Sequence, residues 1–482
     1  MIVVFAMRLR RGERMKPVFW SWVVGSLLLV TAIGAVVKAA QHPPGAITTA
    51  RCAGTPSGGT PSDPSVGLSE WTVFEGSAEH NLVLDGNAAT SGLLASWTFR
   101  PNGEIGMAPT VVGGIAYVTS LDHCIYALDV ATGRQIWSFH SNNMVMSEPL
   151  VVAGRVLFGS GNKTVTQAAN GDVLRGTGAS TLYALNAATG RQLWAVNTKG
   201  ENMPTMLYDN GTVYAADGSG TMTAIGAATG AVHWTVNIGS VDSMSSPDIS
   251  GNIAVFGGAD PFAFYGVNLQ TGQILWTVPV ANAMGGIDDL SPTISGETAY
   301  VQVPAGTYPD AKVIEMALNV QTGQVLWQTI LGQGTMPESD KEETGVATLT
   351  GGALYVGSPA LNAVFALDAA SGTPLWSATI PSGISASPTV DAGNILVMDE
   401  QGDLDVLATS NGQLLQSIRV GVWVSGIGEC TSPAPLIVGK TVFFASGADA
   451  ALVAEPLANI LAGKGLAVAG ISASATSGLM PS

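Results

Sequence analysis

Apolar residues in this chain come in short, strand-length runs, and one arrangement of them recurs. An aliphatic or aromatic run leads into a turn with Asp or Asn followed by Thr-Gly, and a second run then closes on tryptophan. The arrangement reads IYALDVATGRQIW ending at Trp137, LYALNAATGRQLW at Trp194, MTAIGAATGAVHW at Trp234 and FYGVNLQTGQILW at Trp276. It continues as MALNVQTGQVLW at Trp327 and VFALDAASGTPLW at Trp376, then fades to DVLATSNGQLLQ at Gln416, where the tryptophan is lost. Self-similarity at a spacing of about 40 residues marks a repeat architecture, and four short strands with their turns fill such a unit. Glycine supplies the positive φ of a tight hairpin, and the Asp or Asn before it bonds the turn backbone. The tryptophan is expected to dock each outer strand between blades, a packing role.

The two ends of the array complement each other. Trp97 stands one repeat length before Trp137 with no repeat in front of it, and residues 434–455 supply inner strands with no tryptophan strand behind them. Residues 93–99 therefore complete the last blade. The expected fold is all-β: an eight-bladed β-propeller of four-stranded blades, its ring closed by strands from both termini. A closed ring leaves no long exposed sheet edge. The expected boundaries are a signal segment at 1–39, a linker at 40–67, the propeller at 68–455 and a C-terminal extension at 456–482.

Composition narrows the function. The net charge of −16 and the 19 thinly spread basic residues exclude nucleic acid as a partner, because phosphate neutralisation needs clustered Lys and Arg. Only 11% of residues are charged, and a surface with few bases suits strongly acidic surroundings, where surplus cations repel one another. Residues 8–16 are basic, residues 18–37 are apolar, and Ala39 precedes a cleavage position. This places the chain in the periplasm or outside the cell. An uncleaved anchor is the rival reading, since about 20 apolar residues span a bilayer; membrane association is expected through that segment alone. Cys52, Cys124 and Cys430 are odd in number, so one thiol stays outside any intrachain disulfide, and spacing leaves the pairing open. No CxxC occurs, and neither a metal site nor a cofactor is expected.

In a propeller the innermost strands line an axial channel, and the loops entering them form its rim. Those strands are marked by Pro109, Pro149, Pro204, Pro247, Pro292, Pro388 and Pro435, with Ala347 in blade six. The segment MGGIDDLSP puts Asp288 and Asp289 on one such loop; Glu201 is an acid at the same offset in blade three. Two carboxyls side by side in a narrow channel are pushed toward the protonated form, which suits a general acid; a solvated Asp turn is the plainer alternative. Met107, Met144, Met146, Met203, Met244, Met284 and Met336 also fall on or near these loops. Thioethers are soft and adaptable, fitting a sulfur-rich substrate or Cu(I), or simply filling gaps in irregular loops. Insertions in blade two (NKTVTQAANGDVLRGTGAS) and in blades five and six, at PAGTYPDAK and GQGTMPESDKEE, are natural lids or dimer contacts.

The ALDxxTGxxxW repeat resembles the PQQ-binding-like propeller superfamily over residues 68–455, which includes quinoprotein dehydrogenases, outer-membrane assembly factors and hydrolases. An exported, low-charge, eight-bladed member of this length is most similar to the tetrathionate hydrolases of acidophilic sulfur oxidisers. That resemblance implies hydrolysis of polythionate S–S bonds at low pH by a homodimer, with an acidic residue in a cavity between propeller and insertion loop. By context the acid is Asp289, with Asp288 beside it. Met146, Met203, Met244 and Met284 are expected to bind the small anionic sulfur compound, with Arg100 and Lys199 as cations. Two other classes share the repeat. A quinoprotein dehydrogenase would call for a vicinal Cys-Cys pair or a haem CxxCH, and this chain has neither. A non-enzymatic scaffold like the outer-membrane assembly factors needs only a binding face, but no lipobox precedes Cys52.

Overall fold

The computed structural model describes residues 52–58, 74–77, 80–84, 96–161, 165–167, 173–175, 180–242, 244–259, 261–284, 287, 290–336, 345–421, 433–446 and 451–464. Each repeat folds into an antiparallel four-stranded sheet. Blade 1 runs through Thr110–Val112, Ile115–Ser120, Cys124–Asp129 and Gln135–His140, from the innermost strand outward. Blades 2 to 7 occupy residues 150–198, 207–237, 248–279, 293–335, 348–379 and 389–419. Inner strands such as Leu150–Val152 are wholly buried, whereas outer strands such as Pro374–Thr379 alternate between exposed and half-buried. Apolar runs on the inside and alternation on the outside are what burial on two faces and on one face demand.

Both termini build blade 8. Its inner strands are Leu436–Val438, Thr441–Ser446 and Ala451–Pro456, and Trp97–Arg100 pairs antiparallel with the last of them, Trp97 opposite Ala454. Within the stretch read as linker, Thr55–Gly58 adds a further strand outside Trp97–Arg100. Cys52, just before it, forms a disulfide with Cys124 of blade 1. The ring is thus stapled across the junction where its two ends meet. Cys430 lies outside the described residues, as does the apolar segment at 18–37.

The repeat signature is explained at each blade junction. The Asp or Asn accepts bonds from the backbone and hydroxyl of the Thr or Ser three residues on: Asp129 from Thr132 at 2.9 and 2.7 Å, Asp368 from Ser371 at 2.9 and 2.7 Å. The tryptophan of one blade donates its indole N–H to the carbonyl just after that Asx position in the next blade. Trp97 reaches Val130 at 2.8 Å, Trp137 reaches Ala187 at 2.8 Å, Trp276 reaches Val320 at 2.7 Å and Trp376 reaches Thr409 at 2.8 Å. Where blade 7 has Gln416 instead, the helix Leu457–Leu461 packs on the outer strand. Its Ile460 is fully buried with Ile418 and Val420.

The insertions expected in blades five and six, PAGTYPDAK and the described residues 332–336 of GQGTMPESDKEE, both belong to blade 5, because the second prolongs that blade's outer strand. The first extends the two middle strands of blade 5 to Thr298–Thr307 and Asp310–Asn319; the second begins where its outer strand lengthens to Val325–Thr335. These strands rise above the face from which the innermost strands start, called here the entry face. The blade-2 insertion carries a small hairpin, Val165–Gln167 with Val173–Arg175.

Candidate functional site

The innermost strands are stitched to one another near the entry face by hydroxyl groups. Thr110 Oγ1 donates to the Pro149 carbonyl at 2.7 Å, and Thr293 Oγ1 donates to that of Ala347 at 2.6 Å. The backbone N–H groups of Glu148, Thr205 and Ser246 donate to the hydroxyls of Thr205, Ser246 and Ser291 at 3.1, 2.9 and 2.9 Å. These bonds satisfy the polar groups of loops that apolar strands bury on every side.

The axis itself is filled by residues that precede the first repeat. Glu75 N–H donates to Glu148 Oε1 of blade 2 at 3.0 Å, and the Glu75 side chain bonds Ser387 of blade 7. The His80 carbonyl accepts from Thr348 of blade 6 at 3.1 Å, and His80 Nε2 lies 3.7 Å from Asp248 Oδ2 of blade 4. Asn81 exchanges two bonds with Val390 of blade 7, at 3.1 and 3.0 Å, and Val83–Leu84 runs parallel to Ile437 and Val438 of blade 8. Blades 2 and 6, like blades 4 and 8, face each other across an eight-membered ring, so this short segment crosses the channel. Burial raises the Glu75 carboxyl to about 8, opposed by the Ser387 bond, and lowers His80 to about 3. At neutral pH both groups are therefore uncharged, which is what a desolvated plug requires.

Around the rim six of the seven methionines, all but Met107, fall into two groups. Met144, Met146 and Met203 are buried together, with Leu121 and Met244 packed against them. A Cβ added to Gly161 would lie 3.3 Å from Met203 Cγ, 3.6 Å from Glu201 Oε2 and 3.9 Å from Met146 Sδ, so a glycine there lets thioethers and a buried carboxylate converge. Met284 is elsewhere, buried with Met336, Ala311, Val313 and Ala360 beside the tall hairpin of blade 5. Its loop lies along that hairpin: Met284 N–H donates to the Pro304 carbonyl at 3.0 Å, and Gly306 N–H to that of Asn282 at 2.8 Å. The loop continues through Ile287 and Leu290, both buried. Asp288 and Asp289, between them, lie outside the described residues.

A cleft of about 680 Å³ opens along the same hairpin, with Asn282, Asp310, Lys312, Gln333 and Thr335 in its wall. Lys312 stands opposite Gln333, and Asp310 opposite Thr335. The cations expected from the sequence are elsewhere. Arg100 ends the strand Trp97–Arg100 of blade 8, where its guanidinium bonds Thr98 Oγ1 at 3.1 Å, and Lys199 is exposed just past the outer strand of blade 2. The sequence does not single out Glu75, His80, Glu148 or Lys312. The first two lie before any repeat, Glu148 is adjacent to its proline instead of three residues ahead, and Lys312 sits in an insertion.

The family model described as outer membrane protein assembly factor BamB matches residues 178–339 and 310–469. A second, described as glucose/ethanol/alcohol dehydrogenase β-propeller domain, matches residues 90–202. The chain belongs to the PQQ-type β-propeller repeat family. Among PQQ-type propellers it is 31% identical over 377 residues to the tetrathionate hydrolase of Acidithiobacillus ferrooxidans, an alignment that covers 73% of each chain. It is 27% identical over 327 residues to the outer membrane protein assembly factor BamB of Escherichia coli, covering 65% of this chain and 76% of that one. Two solved PQQ-type propellers share the fold. BamB from Moraxella catarrhalis has a TM-score of 0.55 at 18% identity, covering 76% of this chain and 99% of its own. The quinohemoprotein alcohol dehydrogenase from Comamonas testosteroni has a TM-score of 0.59 at 14% identity, covering 83% and 81%. The quinone that the name PQQ-type implies does not fit on the axis here, because Glu75, His80 and Asn81 occupy that space. Among the described residues no group of three or more His, Cys, Asp or Glu is placed to hold a metal ion.

Proposed function

We propose that this PQQ-type propeller is an exported hydrolase that cleaves S–S bonds of polythionates in acid. The observation that carries the proposal is the 31% identity to tetrathionate hydrolase across 73% of both chains. Three features support it. Thioethers gather at the entry face in two buried groups. The Cys52–Cys124 disulfide suits an oxidising compartment. The interior holds carboxyls whose protonated form the fold favours, Glu75 and Glu315 above all.

In the proposed step a water oxygen bonds to one sulfur as the S–S bond breaks, and the bonding pair leaves with the departing sulfur. Asp289, protonated beside Asp288, delivers its proton to that sulfur as negative charge develops, and the attacking water gives up a proton to solvent. The methionines hold the sulfur chain. Asp289→Asn keeps shape and polarity without an acidic proton, so it should abolish polythionate loss while leaving the thermal melt unchanged. Asp288→Asn should shift the pH profile with a smaller loss, since adjacent carboxyls titrate as a unit. Wild-type rates in Asp289→Asn would remove the assignment. A non-enzymatic scaffold is the second reading, favoured by the BamB model match over residues 178–469; absence of turnover in both the parent and its variants, with the fold intact, would select it. The working form is proposed to be a homodimer joined through the blade-2 or blade-5 insertions, and light scattering at working pH measures its mass directly.

A further inference from the structure

The geometry of blade 5 points to a binding site for a terminal sulfonate: we propose that Lys312, in the cleft beside Met284, anchors the anionic end of the substrate. This rests on the hydrolase reading and places a cation, distinct from Arg100 and Lys199, in the cleft beside Met284. The cleft has the size of a small-molecule site, about 680 Å³, and is built by the lengthened strands that distinguish blade 5. Among the described residues Lys312 forms no salt bridge, whereas Arg419 is held by both oxygens of Asp403 at 2.5 and 2.8 Å. An ammonium is a compact charge whose rotatable donors can reach the oxygens of a sulfonate. Asn282, Gln333 and Thr335 add neutral side chains that can donate to the remaining oxygens.

The cleft also reaches the soft side of the site. Gly306 lines it, and a Cβ there would stand 3.3 Å from Met284 Sδ, so the thioether lies just behind that wall. A chain of sulfur atoms whose sulfonate is held by Lys312 would run along Met284, which is buried beside the hairpin. Asp310 opposes this arrangement: it lies two residues before Lys312 in the same strand and lines the same cleft. Its removal should therefore tighten anion binding.

The test uses the full chain with tetrathionate as substrate. Lys312→Met should raise KM about tenfold, the effect of losing one charge-assisted contact, with kcat within about twofold of the parent. Lys312→Arg should recover most of the loss, and Asp310→Asn should lower KM. An unchanged KM in Lys312→Met, or a fall in kcat alone, overturns the proposal. If the parent does not turn over polythionates, the hydrolase reading fails, and calorimetric titration with tetrathionate still decides the site. Binding by the parent that Lys312→Met loses supports the cleft; no binding, or equal binding by both, overturns it. Should Lys312→Met fail to fold, Lys312→Gln, expected to raise KM likewise, and Asp310→Asn, expected to lower it, carry the same decision.

Discussion

Seven of the eight blade junctions depend on one tryptophan and one glycine in contact. The turn glycine has φ of +69° at Gly372, and a Cβ there would sit 2.4 Å from the Trp327 ring. The same clash recurs at Gly133 against Trp97, at 2.5 Å, and at Gly190 against Trp137, at 2.6 Å. Two costs therefore add in Gly372→Ala: a left-handed backbone for a residue with a Cβ, and overpacking against an indole already hydrogen-bonded to Ala369 at 3.0 Å. The sum is about 2–4 kcal/mol, read as a lower urea midpoint. Gly351, with φ of +59° and nothing within 4 Å of its Cβ position, separates the two. Gly351→Ala should cost only the backbone part, about 1 kcal/mol. The sequence shows why glycine is needed for the turn. It does not show the indole, because the tryptophan belongs to the preceding repeat and only the assembled ring brings the two together.

The elements that close the ring come from outside the repeats. Thr55–Gly58 pairs with Trp97–Arg100 at the outer edge of blade 8, and Cys52–Cys124 ties it to blade 1 with the Ser138 hydroxyl donating to the Cys52 carbonyl at 3.2 Å. The disulfide closes a loop across a sequence separation of 72, for which chain entropy gives a stabilisation of at most about 4 kcal/mol. Cys124→Ser should lower the melting temperature without altering the β-sheet circular dichroism, since the native pairing remains. The helix Leu457–Leu461 has a comparable role at the junction lacking a tryptophan. Ile460→Ala should cost about 2–4 kcal/mol by emptying a buried pocket beside Ile418 and Val420. Blade number and closure are legible in the sequence because Trp97 and residues 434–455 are each half of a repeat. The strand at 55–58 and the helix carry no such periodicity, so the disulfide partner and the cover over Gln416 emerge only from packing. The tall blade-5 hairpin is visible as an insertion, but its side of the ring follows from register alone, and with it the place of Lys312.

At the scale of the whole molecule, four buried carboxyls hold their protons above the ordinary carboxylate range. Burial raises Glu75 and Glu315 to about 8, Asp405 to about 7 and Asp399 to about 6; the polar side chains of Ser387, Gln302 and Ser417 beside the first three oppose this. For Asp399 the main opposing contacts are the backbone N–H groups of Asp403 and Gln401. A carboxyl whose folded pKa exceeds its unfolded value binds its proton more tightly when folded. Its stabilisation is therefore complete below the unfolded pKa, 4.5 for the two glutamates, and is lost as pH rises through the folded value. Between about pH 5 and 7.5 each buried glutamate should lower stability by about 1.4 kcal/mol per pH unit. His80 acts in the opposite direction. Its pKa is lowered from 6.5 to about 3, so it favours the folded state above 6.5 and withdraws that support as pH falls through 3. The carboxyls dominate above pH 6.5, where His80 no longer changes. The urea midpoint should thus fall steadily from pH 6.5 to 8, and Glu75→Gln combined with Glu315→Gln should flatten that fall. A wild-type midpoint that stays level across this range would mean that the buried carboxyls ionise without penalty. Because Glu75 lies on the segment that plugs the axis, its ionisation should loosen that segment first. Faster amide exchange at residues 74–84 than in the blades at pH 8, absent at pH 4, is the expected signature.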